Sequence, residues 1–583
     1  MLSFEGDDPV AVQLRASRRR LAGVAVFSGI VNLLTLSGSI YMLQVYDRVI
    51  PSRDLATLFG LSAIVAIAYL LQGYFDALRS RMLARIAALF DVKLQTGIHF
   101  ALVTLPLRGT NPILAQQPLR DLDQVRAFLA GSGPTAFLDM PWIPLFLFAL
   151  FLFHPVIGVV ATSGAAAIVA MTYFTERQSR GAAKISTEGS AQRQVLADAL
   201  RQNAEVVRAL GMTGRLAARW SRTNEQYVRD SMRLAEMHAN LSAVAKVLRF
   251  ALQSAVLGIG AYLVVIEQAS GGIIIASSIM MGRALAPVEV ALANWKQLVA
   301  AREGIDRLRT ILKATAAPAA PAVVLKRPNR TLTVEGVSVV VPGTQRMVLS
   351  HISFGLNAGM GLALLGASAA GKSSLAKTLV GIWPAATGAV RLDGAAIDRW
   401  YSDDLGRHIG YLPQDVALFD GSVAMNIARF DDTANSESIL KAARVAGAHE
   451  MILRLPDGYD TRIGERGASL SAGQRQRIGL ARAVFGRPFL VVLDEPNANL
   501  DADGENALVG AIETLRRERS IVIVISHRPN ALAALNMAMV IYDGRLIAFG
   551  PREEIFARVA QSNVHPVRMP KRSDSRSSAG GAQ

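Results

Sequence analysis

The residues Gly366-Ala367-Ser368-Ala369-Ala370-Gly371-Lys372-Ser373 fit the spacing GxxxxGK[ST]. They follow the apolar run Leu362 to Leu365 and precede a helical stretch, the strand–loop–helix context this pattern requires. Glycines there let backbone N–H groups approach phosphate oxygens, and the helix N-terminus adds its positive dipole. Lys372 is then placed to reach the β and γ phosphates, and the Ser373 hydroxyl to bind Mg2+. Further along, the apolar run Phe489 to Leu493 ends in Asp494-Glu495. An Asp at the end of a buried strand can hold Mg2+, and the next carboxylate can polarise an attacking water. A glycine turn and a surface acidic pair are each common alone. Their combination points to a Mg2+-dependent phosphate site.

Between these two motifs lies Leu470-Ser471-Ala472-Gly473-Gln474, followed by Arg475-Gln476-Arg477. With Gln414 in YLPQD, Asn499-Leu500-Asp501 and His527 in ISHRP, the ordered set resembles the nucleotide-binding domain of ABC transporters, over residues 331–560. The resemblance implies ATP and Mg2+ as cofactors. ATP would be held by Gly366, Ala367, Ser368, Ala369, Ala370, Gly371, Lys372, Ser373 and Ser374, and Mg2+ by Ser373, Gln414 and Asp494. Glu495 would be catalytic, Gln414 would link metal and water to the membrane domain, and His527 would contact the γ-phosphate. A lone histidine is more often structural; its place after the strand 521–525 within the set reverses that reading for His527. By the same likeness Ser471, Ala472, Gly473 and Gln474 complete the ATP site of a partner subunit, and Asp501 lies in the loop coupling the two sites. One phosphate loop and one such signature loop per chain imply a homodimer with two ATP between subunits. Ile463 to Gly467, with Glu465-Arg466, resembles the segment exporters use to sense the membrane domain.

Three features depart from the family pattern. The region Val337 to Pro342 has no aromatic ring where one often stacks on adenine, Ala472 stands where Gly is usual, and so does Ala370. Neither alanine removes a donor, so activity is expected to survive.

These motifs occupy only the second half of a chain of 583 residues with 51% hydrophobic and 19% charged residues. That composition excludes a disordered or fibrous protein. The absence of cysteine excludes disulfides, Cys-ligated metals and thiol catalysis. Long apolar runs lie in the first half. Six transmembrane helices are expected at 21–45, 55–75, 134–153, 156–175, 247–266 and 272–293, with the third and fourth parted by a turn at His154-Pro155. Arginines cluster before the first span, in 76–126 and 176–246, and after the sixth, so the positive-inside rule puts both termini in the cytoplasm. The net charge of +16 is thereby read as membrane topology and not as a nucleic-acid footprint. Ser17-Arg18-Arg19-Arg20 is not an export signal, because no small-residue cleavage site follows.

The expected organisation is a cytoplasmic segment 1–20, a six-helix membrane domain with long helical stalks over 21–313, an Ala/Pro-rich linker 314–330, an ATPase domain 331–560 and a disordered basic tail 561–583. The fold class is an all-α six-helix transmembrane domain of the type I ABC exporter kind fused to an α/β P-loop ABC ATPase domain. The stalk turns near 116–130 and 205–222 are expected to touch the ATPase domain. Lys246, Arg249, Arg283 and Glu289 are candidates for a polar translocation path, with snorkelling or structural pairing as the competing reading.

The membrane half sharpens the resemblance. YMLQVYDRVIPSRDLATL at 41–58, FLDMPWIPLFLFALFLFHPVIG at 137–158, YLPQDVALFDGSVAMNIARF at 411–430 and DEPNANLD at 494–501 look like the type I protein-secretion ABC transporters. The nearest branch is the PrtD type, which exports metalloproteases, lipases and glycine-rich-repeat proteins. This implies an inner-membrane pump working with a periplasmic membrane-fusion adaptor and an outer-membrane channel protein. Its polypeptide substrates would carry an uncleaved C-terminal signal and pass through unfolded. With about twenty residues ahead of the first span, the leader-cleaving peptide exporters fit less well. A lipid or small-molecule exporter of the same architecture is the alternative. A DNA-organising ABC ATPase is opposed by six spans, and a membrane scaffold that binds ATP without turnover fails if Glu495→Gln abolishes a measurable ATPase.

Overall fold

The computed structural model describes residues 9–109, 112–315, 325–400, 402–464, 467 and 469–561. Glu465-Arg466, most of the expected linker and nearly all of the expected tail lie outside the described residues. The chain forms two compact units, Met1–Ala317 and Pro318–Gln583.

The first unit is helical throughout. Its main helices are α1 (Pro9–Gln44), α2 (Leu55–Leu107), α3 (Pro112–Ala130), α4 (Gly133–Asp139), α5 (Ile143–Phe153), α6 (Pro155–Gln202), α7 (Ala204–Ala209), α8 (Thr213–Val265), α9 (Gly271–Ala293) and α10 (Trp295–Ala314). Among the described residues five stretches are long and apolar enough to cross a membrane: Val10–Ser52, Leu55–Leu107, Gly133–Phe153, Thr213–Val265 and Gly271–Ala293. Where the span 156–175 is expected, the head of α6 carries a shorter apolar stretch, Pro155–Met171. His154 ends α5 in an extended conformation and caps α6 by accepting from Val156 N–H through Nδ1, with Pro155 opening the helix. The turn therefore falls where His154-Pro155 placed it.

α2 and α8 each have 53 residues. At 1.5 Å per residue each is about 80 Å long, well over twice a bilayer core. The expected stalks are these extensions. Of the two stalk turns, only the second overlaps its expected range. Residues 112–130 form α3, which packs back on α2 and α10, and the chain reverses before Pro112. Pro106, Gly109 at φ 69° and Pro112 are the local cause, since proline blocks helix continuation and glycine supplies the left-handed turn. The second reversal spans Asn203 to Met212 around α7, with Gly211 at φ 61°, and 213–222 already belong to α8.

Polar groups fasten this apolar unit at a few points. Arg79, buried on α2, donates to both oxygens of Asp139 on α4 at 2.8 and 2.9 Å, to Asp76 at 2.6 Å and to Ser28 of α1 at 3.0 Å. Asn32 of α1 donates to Asp139 at 2.8 Å. The one charge in the run 127–175 is thereby paired, as a carboxylate in an apolar setting must be. At the other end of α1, Asp47 accepts from Ser270 Oγ at 2.5 Å and from Gly272 N–H at the start of α9 at 2.7 Å. Arg249 and Glu289 form an ion pair between α8 and α9, and the Lys246 and Arg249 cations lie over the Phe250 ring. Arg283 is exposed on α9.

The bundle of α2, α3 and α10 has its own core of Phe90, Leu94, Ile98, Leu122, Val125, Leu308 and Leu312. Across it Arg307 donates to both oxygens of Asp121, at 2.8 and 3.0 Å. The Asp121 side chain is fully buried. Burial holds its carboxyl above the usual range, against the pull of Arg307. Arg307→Met should strand a buried carboxylate and cost about 3–5 kcal/mol. Adding Asp121→Asn should restore most of the loss. Thermal unfolding of the purified single and double variants checks this.

The second unit is α/β. A six-stranded sheet has the order β10-β9-β3-β8-β7-β6, from β3 (Gly361–Leu365), β6 (Ile409–Leu412), β7 (Leu490–Asp494), β8 (Ile521–Ile525), β9 (Met537–Tyr542) and β10 (Arg545–Pro551). Five of these strands run parallel and β10 closes the edge antiparallel. The runs LVVLD and IVIVI are buried at every position, as parallel strands covered on both faces require. A second, antiparallel sheet has the order β2-β1-β4-β5, from β1 (Thr331–Val340), β2 (Met347–Asn357), β4 (Thr387–Leu392) and β5 (Ala395–Ala396).

Candidate functional site

The site begins where three adjacent parallel strands end. Leu364 of β3 pairs with Ile525 of β8, and Ile525 pairs with Asp494 of β7. Three loops leave this edge side by side: the phosphate loop after β3, the Glu495 loop after β7 and the His527 loop after β8.

The phosphate loop turns from Leu365 into α11 (Lys372–Leu379). A Cβ on Gly366 would lie 2.3 Å from the Ile541 carbonyl oxygen, so the loop can start here only with glycine. Ala369 sits in the left-handed region at φ 64°, and Ala370 is buried in the core beneath the loop while its carbonyl accepts from Gly544 N–H at 3.1 Å. The methyl of Ala370 thus packs into the core. Thr378 Oγ1 donates to the Ser374 carbonyl at 2.9 Å, one turn into the helix. Lys372 is 7% exposed, and its Nζ donates to the Gly366 and Ala367 carbonyls at 2.6 and 2.9 Å. Burial lowers its pKa, against the nearby charges of Glu495 and Asp494.

Asp494 is buried at the end of β7, and its Oδ1 has no hydrogen-bond partner. Burial raises its carboxyl above the usual range; the Ser373 hydroxyl opposes the rise and Glu495 adds to it. On the neighbouring strand burial, aided by Asp494, pushes the Tyr411 phenol up to about 12. Glu495 takes a left-handed backbone at φ 48°, fixed by its N–H donating to the Ile525 carbonyl at 2.9 Å. Such a conformation is strained for a non-glycine residue. Gln414, two residues beyond β6, donates through Nε2 to Glu495 Oε2 at 3.1 Å. His527 is exposed two residues after β8.

An orphaned buried carboxylate oxygen facing a serine hydroxyl is a fit for a hard cation, and Ser373, Asp494 and Gln414 offer oxygen donors, which suits Mg2+. No group of three or more His, Asp or Glu among the described residues could hold an ion by itself. The remaining positions around an ion here would fall to phosphate oxygens.

The signature residues stand at the start of another helix. Ser471 caps α12 (Ala472–Val484) through a capping box: its Oγ accepts from Gln474 N–H at 3.2 Å, and Gln474 Oε1 accepts from Ser471 N–H at 2.8 Å. Ala472 is exposed at the first helical position. Asp501 caps α13 (Ala502–Arg517), accepts from Gly504 N–H at 2.9 Å and pairs with Arg477. These bonds hold its carboxyl below the usual range. Val337 to Val340 belong to β1, with Val337 and Val339 fully buried. Gln476, Asn497 and Ser526 were not singled out in the sequence, although each adjoins a motif; all three are buried polar residues bonded across loops.

The membrane helices and this ATPase site together define an ABC exporter. Residues 349–498 match the ABC transporter family and residues 21–286 match the ABC transporter transmembrane region. The type I secretion system ATP-binding protein PrsD of Rhizobium meliloti is 50% identical over 552 residues, covering 95% of this chain and 94% of that protein. The chain belongs to the type I secretion ATP-binding proteins, ATP-hydrolysing exporters of protein. The cyclolysin secretion/processing protein CyaB of Bordetella pertussis is 26% identical over 93% of this chain and 76% of its own length. The alpha-hemolysin translocation protein HlyB of Escherichia coli O157:H7 is 25% identical over 93% and 77%. In fold the chain resembles a bacterial Atm1-family ABC exporter with ATP bound, with a TM-score of 0.79 and 22% identity over 93% of this chain and 96% of that one.

Asp494→Asn removes the carboxylate charge at constant shape. Mg2+-dependent hydrolysis should fall by about 100-fold or more, while nucleotide binding measured in EDTA stays within a few-fold of wild type. Parallel ATPase and nucleotide-binding titrations read both.

Proposed function

We propose that two copies of the chain form one pump in the bacterial inner membrane, with both termini and the ATPase domains in the cytoplasm. In this reading residues 21–313 form the membrane domain, 314–330 the linker and 331–560 the ATPase domain. Each of two Mg-ATP is held by the phosphate loop of one copy, Gly366 to Ser374, and by Ser471 to Gln474 of the other. The observation that supports the reading is where these residues make their bonds. The phosphate loop, Asp494, Glu495, Gln414 and His527 gather at one sheet edge, while the polar contacts of Ser471 and Gln474 are to each other.

Mg2+ supplies charge neutralisation on the phosphates when bound. Ser373, Asp494 and Gln414 would hold it, and Lys372 would exchange its loop carbonyls for phosphate oxygens. Glu495, oriented by Gln414, takes the proton of the attacking water, and His527 steadies the γ-phosphate. Closure of the two ATPase domains drives rearrangement of the membrane helices through their stalks. Ile463 to Gly467 senses that movement.

The cargo is an unfolded polypeptide with a C-terminal signal, of the protease, lipase or glycine-rich-repeat type. It leaves through a periplasmic membrane-fusion adaptor and an outer-membrane channel. Relatives named for secretion of cyclolysin and alpha-hemolysin support a polypeptide cargo. The Arg249–Glu289 ion pair favours a structural reading of those two residues, and exposed Lys246 and Arg283 are the candidates for the path.

Co-expression with candidate adaptor, channel and substrate tests this. Wild type should deliver the substrate to the medium. Glu495→Gln should abolish delivery and lower ATPase by about 100-fold or more. Full secretion by Glu495→Gln contradicts the mechanism. Lipid or small-molecule transport without protein secretion would favour the alternative exporter.

A further inference from the structure

The ATP edge uses only one end of the central strands. β7 and β8 have five residues each, so their starting ends lie about 16 Å from that edge. There a cavity of about 570 Å³ opens between the turn into β7, the turn into β8 and the segment that enters β1. Four arginines line it: Arg327 and Arg330 ahead of β1, Arg487 ahead of β7 and Arg519 ahead of β8. All four are exposed. Glu518 is the one carboxylate in the lining. It accepts from Lys441 Nζ at 2.9 Å, and its other oxygen stands 3.9 Å from Arg487. Among the described residues no other ion pair reaches the four arginines. The backbone around them is pinned. Asp393 accepts from the N–H groups of Asn329, Arg330 and Thr331 at 2.7, 3.0 and 2.7 Å. Arg327 Nη2 donates to the Arg487 carbonyl at 2.8 Å, and buried Ser520 donates through Oγ to the Pro488 carbonyl at 2.7 Å. Arg487 and Arg519 stand in the left-handed region, at φ 53° and 68°, just past α12 and α13, where glycine is the usual residue. Glycine there would relieve the strain and remove a guanidinium from the cavity.

We propose that this cleft binds a compact diphosphate anion, with Arg327, Arg330, Arg487 and Arg519 as its donors, at a site apart from the phosphate loop. Like charges gathered on one concave wall repel each other, and the lining sets a single, already engaged carboxylate against four guanidinium groups. A ligand carrying two or more negative charges balances them. Each guanidinium offers a planar fork of N–H donors that matches phosphate oxygens two at a time. Because the backbone is pinned, these donors converge without ordering a loop on binding. The volume suits a ligand of nucleotide size or smaller. Arginines from three segments around one cavity favour charges on adjacent atoms; an extended acidic peptide would space its carboxylates about 6.6 Å apart along one face. The positive field also reaches the neighbouring strand: burial, and after it the Arg327 charge, hold the His408 imidazole below its usual range. The diphosphate can be inorganic or the phosphate end of a nucleotide, since both present the same oxygens.

The test is equilibrium binding of labelled pyrophosphate, in EDTA, to the full-length protein in phosphatidylcholine nanodiscs. Wild type, Lys372→Ala, Arg330→Gln/Arg519→Gln and the combination of all three substitutions are compared. Pyrophosphate also meets the phosphate loop, so Lys372→Ala isolates the cleft. That variant should keep about one pyrophosphate per chain, with an affinity that falls as salt is raised. The triple variant should bind at least about 10-fold more weakly, because each lost guanidinium removes a charge-assisted bond. ATP binding to Arg330→Gln/Arg519→Gln should stay within about 2-fold of wild type, since the two sites are far apart, and shows that the fold is intact. Should that variant misfold, Arg519→Gln alone on the Lys372→Ala background decides, with an expected loss of about 3- to 10-fold. Competition by ADP separates the sources: displacement by ADP as strong as by pyrophosphate supports a nucleotide, and displacement by pyrophosphate alone supports an inorganic anion. Absence of binding to Lys372→Ala overturns the proposal, and so does binding that the arginine substitutions leave unchanged. Arginine-dependent binding of a hexaglutamate peptide without binding of pyrophosphate overturns it in favour of an acidic peptide.

Discussion

The structure depends on three parallel strands, β3, β8 and β7, being buried on both faces and ending together. Such strands must be apolar along their length, so chemistry can start only where they stop. Leu364, Ile525 and Asp494 mark that edge, and the next residues of each strand carry the phosphate loop, His527 and Glu495. The edge also concentrates strain and desolvation. Glu495 stands at φ 48°, Ala369 at φ 64°, and burial perturbs both Lys372 and Asp494. These costs are borne by a core that contains the full length of both central strands.

The membrane unit obeys the opposite rule. There the background is apolar, and several charged residues inside it have partners that tie two helices. Arg79 and Asp139 join α2 to α4 and draw in α1, while Asp47 joins the far end of α1 to the start of α9. Arg307 and Asp121 do the same in the extension, between α10 and α3. The pairs act as fixed points between helices whose apolar faces could otherwise slide.

Much of this was legible in the sequence. Charge-free runs located the membrane-crossing stretches, and His154-Pro155 located a turn because both residues end or begin helices by their own geometry. The phosphate loop, Asp494-Glu495 and the signature were legible because their chemistry demands fixed residue types at fixed spacing. The first stalk reversal was misplaced: residues 112–130 are helical, and the decisive Pro106, Gly109 and Pro112 are spread over several residues. The partner of Asp139 lies far away in sequence at Arg79, on a different helix, which no local pattern reveals. Asn497 and Ser526 were passed over for the same reason, since their significance is a bond between two loops.

The central claim is that a complete ATP site takes its parts from two copies of the chain. The chain has no cysteine, so introduced pairs can be read without background. One tagged copy would carry Ala369→Cys and a differently tagged copy Ser471→Cys, both with Glu495→Gln to hold ATP. Disulfide formation between the two tags, dependent on ATP and Mg2+, is the predicted result. Cross-linking between unlike tags that is absent, or that is indifferent to ATP, would contradict the account.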